Sequence, residues 1–423
     1  MANYIVAISI FAVTFYFIIS GKLDRTIASF AGALAMIGAG ITLGFYSQEE
    51  AFHAIDFNMM GLLLGMMIIV SVCKKTGFFS YVAIKAAKAS GGSPLRLMIM
   101  MGCITAFLSM ALDNVTTIIL VIPITILICD ILGISPLPII MSEIILSNIG
   151  GTGTMIGDPP NMMIASSANF SFTDFLVHLL PITLLAMVIS LVALAFIFRK
   201  QMIHPSVDFS PISQINERAA IRDEKSLRKT VFSLIIVFAL FILQKQLHLH
   251  HSFIALLGAG IVLILVRPNI EEIMKDIHWP ILAFFASLFV LIGGLEKTGL
   301  LNLIAEQISR IANANYNLAK ISILWVSACF ASLVDRVPFT TAMIPIIKQV
   351  GVLGFNIDSL WWVLALGVGF GGSGTPIGSV VGVVGLAMSE KTSTPIDFKI
   401  WFKTATVVTV ITLILVTLLI GII

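Results

Sequence analysis

A carboxylate stands twice in sequence apolar enough to lie at membrane depth: Leu112-Asp113-Asn114-Val115-Thr116-Thr117 returns 222 positions later as Val334-Asp335-Arg336-Val337-Pro338-Phe339. Placing an ionisable group in a bilayer costs about 2.5 to 3.5 kcal/mol on insertion scales, so such a residue belongs by default to an ion or substrate pathway. Its repetition predicts one site shared by two halves. Proton loading and release is the chemistry open to Asp113 and Asp335. Asp335 next to Arg336 also reads as a neutralised structural pair, and for that position both readings stand.

Such groups must be held where helices stop. Asn114 to Thr117 bring side chains that bond to nearby backbone as readily as they continue a helix. Pro338 removes a backbone donor in the second half. A further break is expected over Ser147-Asn148-Ile149-Gly150-Gly151-Thr152-Gly153-Thr154, closed by Gly157-Asp158-Pro159-Pro160-Asn161, where four glycines within 150–157 allow positive φ and close approach. Asn161 is expected to open the next helix with amides that favour an anion or polar oxygen. The counterpart, Gly369 to Gly382, carries Ser379 where the first half has Asp158. Unwound backbone at membrane depth survives only where it is buried in protein or lines a wet cavity, so the four breaks predict a binding site.

With 58% hydrophobic and 11% charged residues and a mean hydropathy of +1.05, the chain cannot cover a soluble globule of its length and reads as an all-α polytopic membrane protein. A net charge of +3 gives no reason to expect nucleic acid. Cys73, Cys103, Cys129 and Cys329 stand singly, without zinc or disulfide spacing, and neither a metal nor another cofactor is expected. The run Tyr4 to Ser20 lacks the basic flank of a cleavable signal. His248, His250 and His251 read as a solvated loop, His53 and His178 as loop or interfacial residues, and Trp361 and Trp362 as an interfacial belt. Glu143, one turn before Ser147, can face either the cavity or the membrane edge.

Apolar runs fall near 3–20, 26–45, 57–73, 94–112, 115–129 and 175–198, then 230–244, 252–267, 279–294, 319–334, 337–352 and 403–422. Residues 199–229 between them are rich in Lys and Arg and read as a cytoplasmic linker, dividing a first repeat, 1–198, from a second, 230–423. Lys75-Thr76-Gly77 matches Lys297-Thr298-Gly299, and Pro123 matches Pro345. Gly150 to Gly157 matches Gly371 to Gly378, and Asp174-Phe175 matches Asp397-Phe398, with the offset drifting only between 221 and 223. An odd number of crossings per half would invert the repeats and put both termini outside. Lys22 and Arg25 would then face the cytoplasm.

These stretches resemble the signatures of the ArsB/NhaD permeases of the ion transporter superfamily, over nearly the whole chain. Members include arsenite and antimonite efflux pumps, sodium/proton antiporters and melanosomal anion-transport proteins, with citrate and dicarboxylate carriers more distant. The resemblance implies two inverted repeats of about ten spans in the cytoplasmic (inner) membrane, each with a re-entrant hairpin and a broken helix. Carried over by position, Asp113, Asn114, Thr117, Ser147, Asn148, Gly151 and Thr152 would line one half-site. Asp335, Arg336, Thr340, Ser373, Gly374 and Thr375 would line the other. The superfamily commonly has Asn where this chain has Arg336, a fixed charge that repels sodium and can pair with Asp335 or Asp113.

That departure favours proton-coupled efflux of arsenite or antimonite, held by amides, hydroxyls and backbone in a pocket of balanced charge, with Asp113 and Asp335 as the coupling carboxylates. A sodium/proton antiporter and an organic-anion (citrate or dicarboxylate) permease are the alternatives. No nucleophile-base pair marks an enzyme, and no P-loop is present. An accessory ATPase subunit and a homodimer are the protein partners compatible with this reading.

Overall fold

The computed structural model describes residues 2–202, 210–214 and 216–423, so the stretches 203–209 and 215 of the expected linker lie outside the described residues. Every regular element among the described residues is helical. In the first half these are α1 (Ala2–Ser20), α2 (Arg25–Leu43), α3 (Gln48–Ala54), α4 (Phe57–Lys75), α5 (Phe78–Ala89), α6 (Pro94–Ala111), α7 (Asn114–Leu132), α8 (Leu137–Thr152), α9 (Pro159–Ala168), α10 (Phe172–His178) and α11 (Leu180–Ile197). The second half runs α12 (Glu224–Ile242), α13 (His251–Val266), α14 (Ile270–Asp276), α15 (Trp279–Lys297), α16 (Leu300–Ala314), α17 (Tyr316–Leu333), α18 (Arg336–Val352), α19 (Asp358–Gly371), α20 (Val380–Ser389), α21 (Phe398–Lys403) and α22 (Ala405–Leu418).

Starting points recur at 222 residues for α1 and α12, α3 and α14, α4 and α15, α5 and α16, α6 and α17, and α7 and α18. Helix α12 begins at Glu224, inside the stretch read as linker. Asp174 lies three residues into α10 behind its cap Ser171, whereas Asp397 is itself the cap of α21, so that sequence match does not join equivalent positions.

Nine helices among the described residues are long and apolar enough to cross a membrane, and α8, α13, α19 and α20 are shorter apolar helices. Large side chains such as Val188, Val192 and Phe196 on α11 stay exposed, as a lipid-facing surface requires. The interior is built by exchange between the halves. Helix α4 packs on α13 while α15 packs on α2, and α7 packs on α20 while α18 packs on α9. Gly65 permits the first contact, since a Cβ there would lie 2.5 Å from the Ala255 carbonyl carbon.

Helices α8 and α19 were not among the expected spans. Ser142, Glu143, Ser147 and Asn148 interrupt the apolar run of α8, which is nevertheless buried throughout, and α19 at 14 residues is shorter than a span requires. Trp361 and Trp362 on α19 are core residues and not an interfacial belt: Trp362 stacks on Phe170 with centroids 4.2 Å apart, and on His178. His251 is likewise buried, bonded to the Phe170 carbonyl at 2.9 Å and to Asn58 at 3.2 Å, so it belongs to the packing and not to a solvated loop. No cluster of three metal-binding side chains occurs among the described residues.

Candidate functional site

Four chain breaks meet at the centre. Helices α6 and α7 form a hairpin whose tip is the extended Leu112-Asp113, and α17 and α18 repeat it at Val334-Asp335. The other two breaks separate α8 from α9 and α19 from α20. Both repeated carboxylates have a local task. Asp113 caps α7 by accepting from the Thr116 amide at 2.9 Å, and Asp335 caps α18 by accepting from the Val337 amide at 3.1 Å. Pro338, in the first turn of α18, costs that helix no hydrogen bond and does not unwind it.

The glycines of the breaks serve close approach and not positive φ, which none of Gly150, Gly151, Gly153 and Gly157 adopts. A Cβ on Gly150 would lie 2.4 Å from the Ala106 carbonyl oxygen, and one on Gly157 would lie 2.4 Å from that of Ser109. Asn161 does not point its amide at a ligand. It donates to the carbonyls of Gly151, Thr152 and Thr154 at 3.3, 3.0 and 2.8 Å, fastening the turn.

The tips and breaks enclose a cavity of about 50 Å³, lined among others by Asp113, Asn114, Asp158, Asp335, Arg336 and Arg25. Arg336 does not pair with the adjacent Asp335 or with Asp113. Its Nη1 lies 2.7 Å from Asp158 Oδ2, with both side chains almost fully buried. Successive residues on a helix point in different directions, and the first turn of α18 aims Arg336 across the cavity at the opposite break. Neither Asp158 oxygen completes an aligned hydrogen bond, so the contact is an ion pair by distance alone. Asp335 is instead held by Arg25 at 3.1 Å. Arg25, expected to mark the cytoplasmic face, is thus half-buried at the site and lies over the Phe284 ring at 5.4 Å. Among the described residues, Asp113 is the cavity carboxylate with no cation within ion-pair distance.

Behind this cavity runs a polar chain between the halves. Asn114 donates to Asn148 at 3.4 Å, and Asn148 donates to Ser373 at 2.8 Å and Ser379 at 3.2 Å. Ser147 donates to the Asn114 carbonyl at 3.2 Å. The remaining expected residues serve the scaffold. Thr117, Thr152 and Thr340 return their hydroxyls to the carbonyls of Asp113, Asn148 and Arg336 one turn back. Thr375 bonds the Ser332 carbonyl, the Gly374 carbonyl accepts from Thr406, and Gly151 packs on Gly157. Asp158 and Arg25 were missing from the sequence-derived site. Only the Asp158-for-Ser379 asymmetry signalled the first, and nothing local signalled the second.

Two further cavities occupy places equivalent under the 222-residue repeat. One, of about 150 Å³, is lined by Ser71, Lys74, Thr116, Asp276 and His278 among others. The other, of about 320 Å³, is lined by Ala54, Asp56, Gly293, Glu296 and Thr341 among others.

Residues 15–367 match the citrate transporter family. The chain is 38% identical over 416 residues to the 46 kDa membrane protein of Mycobacterium leprae, covering 97% of this chain and 96% of that one. An uncharacterized transporter of Mycobacterium tuberculosis is 38% identical over 417 residues, with the same coverage of 97% and 96%. The human P protein is 30% identical over 479 residues, covering 94% of this chain and 57% of its own. In structure the chain is similar to the Alcanivorax borkumensis YdaH transporter, with a TM-score of 0.61, 15% identity and coverage of 90% and 88%, a likeness of fold alone.

Proposed function

We propose, since this chain belongs to the citrate transporter family, that it is a secondary transporter carrying a small organic anion of the citrate class across the membrane together with protons. This moves the reading from metalloid efflux, and from the ArsB/NhaD permeases, to the permease alternative and a family the sequence placed as more distant.

One observation carries the choice: the cavity is lined by the starts of four helices, through Asn114 and Val115, Pro159, Arg336 and Val337, and Val380. A helix N-terminus acts as roughly half a positive charge, so four contribute on the order of two. The formal charges of Arg25 and Arg336 against Asp113, Asp158 and Asp335 come to about minus one, and the sum favours an anion over sodium. A neutral metalloid hydroxide gains nothing from such a field. Most of the amides and hydroxyls that would hold it, on Asn114, Asn148, Ser373 and Ser379, are bonded to one another, although the Asn114 Oδ1 is left open.

The central cavity of about 50 Å³ has room for water and not for a tricarboxylate, so transport needs the hairpin tips to part. If the repeats are inverted, the two equivalent outer cavities are the alternating routes of access, with residues 199–229 cytoplasmic and both termini outside. Asp113, free of a cationic partner, loads the coupled proton. Asp335 takes part when Arg25 releases it. The proton gradient supplies the energy, and no ATPase is required.

The test is flux into proteoliposomes of the purified chain under an imposed pH gradient, with citrate, arsenite and sodium in parallel. Citrate accumulation that collapses with the gradient is expected. Movement of arsenite or sodium with no citrate movement overturns the reading.

A further inference from the structure

Glu143 lies on α8 one turn before Ser147 and is fully buried, although it lines none of the three cavities described above. Its Oε1 accepts a hydrogen bond from the Thr125 hydroxyl of α7, and its Oε2 has no partner. A buried, half-satisfied carboxyl calls for an explanation.

Its charged surroundings are sparse. Of the helices packed on α8, α11 and α20 carry no titratable side chain. Helix α6 brings Arg96, exposed at its first turn, and Cys103; α7 brings the buried Cys129 and Asp130, exposed near its end; α19 brings only the exposed Asp358. None forms an ion pair with Glu143. An ionised carboxylate without a cation is costly in such a place, whereas the neutral acid can remain.

The second half supplies an internal control. On the 222-residue repeat Thr125 corresponds to Ile347, and on the 221-residue register of the glycine run Glu143 corresponds to Leu364. Both of these are fully buried. The same two elements therefore pack with apolar side chains at these positions, so the fold does not require the polar pair, and replacing buried polar partners by apolar ones is often neutral. The pair also joins the two helices whose ends make the first half-site: α7 begins at Asn114 and α8 carries Ser147 and Asn148.

We propose that Glu143 is a second proton-binding site and that its contact with Thr125 is a latch between the hairpin arm α7 and the broken helix α8. Either form of the carboxyl can accept from Thr125, but the ionised form needs water that the closed contact excludes, so closure is favoured while the carboxyl carries its proton. When α7 and α8 part, water reaches the carboxylate and takes the proton; rebinding of a proton from water restores the neutral acid and the closed arrangement. Proton binding and closure then favour each other as any linked pair must. Glu143 acts here as a positioning residue. The idea rests on the proton-coupled reading above, but the absorbance test below does not depend on the cargo.

The experiment uses the full-length chain in proteoliposomes, with Glu143→Gln and the double variant Thr125→Ile/Glu143→Leu, which copies the second half and keeps the test sound if the first variant folds poorly. Infrared absorbance of the carboxylic C=O is recorded as pH is raised, and pH-driven citrate accumulation is compared with citrate exchange. We expect a protonated carboxyl band at neutral pH that both variants lack and Asp113→Asn retains. We also expect accumulation to fall about ten-fold or more with exchange preserved, since a ten-fold loss corresponds to about 1.4 kcal/mol of coupling. An unchanged band in Glu143→Gln, or a wild-type pH profile in the double variant, overturns the proposal. A wild-type protein that shows the band and moves no citrate would overturn the organic-anion reading and leave the proton site supported.

Discussion

At the residue scale, Asp113 caps α7 in the structure and carries the coupled proton in the proposed mechanism, two duties that one substitution separates. Asn is as good an N-cap as Asp, so Asp113→Asn keeps the bond to the Thr116 amide and the start of α7 while removing the exchangeable proton. The expected outcome is normal insertion and thermal stability with loss of pH-driven accumulation; flux in liposomes that keeps its normal pH dependence would end the coupling role. The ion pair of Arg336 and Asp158 behaves oppositely, because both side chains are buried. Removing one partner leaves an uncompensated charge and costs about 3–5 kcal/mol. The chain itself names the replacements, since Arg336 corresponds to Asn114 and Asp158 to Ser379. Arg336→Asn or Asp158→Ser alone should lower the thermal midpoint strongly, and the double variant should recover much of that loss. Additive losses would show that the two side chains are not energetically coupled.

At the element scale, the breaks depend on glycines that let backbone meet backbone. Gly157→Ala would press a Cβ against the Ser109 and Gly151 carbonyl oxygens, at 2.4 and 2.6 Å. Neither is a side chain that can swing away, so a loss of about 1–3 kcal/mol or more is expected. Gly260→Ala, in the middle of α13 with nothing within 4 Å, should be neutral or stabilise by up to about 1 kcal/mol. Thermal midpoints of the two variants in one detergent test the contrast, and equal behaviour would refute it. The breaks were legible only to within a few residues: dense Gly beside Asn, Asp and Pro does end a helix, but Asn114 to Thr117 and Ser147 to Thr152, read as broken, are helical, and the chain leaves α8 only at Gly153. Helix α8 escaped notice as an element because Ser142, Glu143, Ser147 and Asn148 interrupt its apolar pattern, although it is the most thoroughly buried helix of the first half. The partners of Arg336 and Asp335 were not legible, because each is set by contact between segments more than 170 positions apart in the chain. Sequence gives the offset between the halves but not how they face each other.

At the scale of the whole molecule, the repeat makes two outer cavities equivalent by position while the side chains make them unequal. Lys75 pairs with Glu272, and its counterpart Lys297 pairs with Glu50, both at 2.7 Å, so this bridge is present in both halves. Lys74 also pairs with Asp276 at 3.3 Å, and Ser71 donates to the same carboxylate at 2.9 Å. The corresponding positions hold Glu296, Ala54 and Gly293, which cannot make such a bond. The bridged cavity has about 150 Å³ and the unbridged one about 320 Å³. A partly exposed pair of this kind is worth only about 0–1 kcal/mol, too little to matter for folding. It is enough to bias two conformations that lie close in energy. Asp276→Ala should therefore leave the thermal midpoint nearly unchanged and speed labelling of the thiol in Thr116→Cys by a water-soluble reagent about three-fold, the ratio that about 0.65 kcal/mol produces. Ala54→Lys, which offers Glu296 a partner, should slow labelling of the thiol in Thr341→Cys. Because equivalent positions are being edited in opposite senses, a perturbation specific to one mouth cannot mimic both results. If neither rate moves, the ion pair does not control access, and the difference in cavity size comes from packing of the apolar walls.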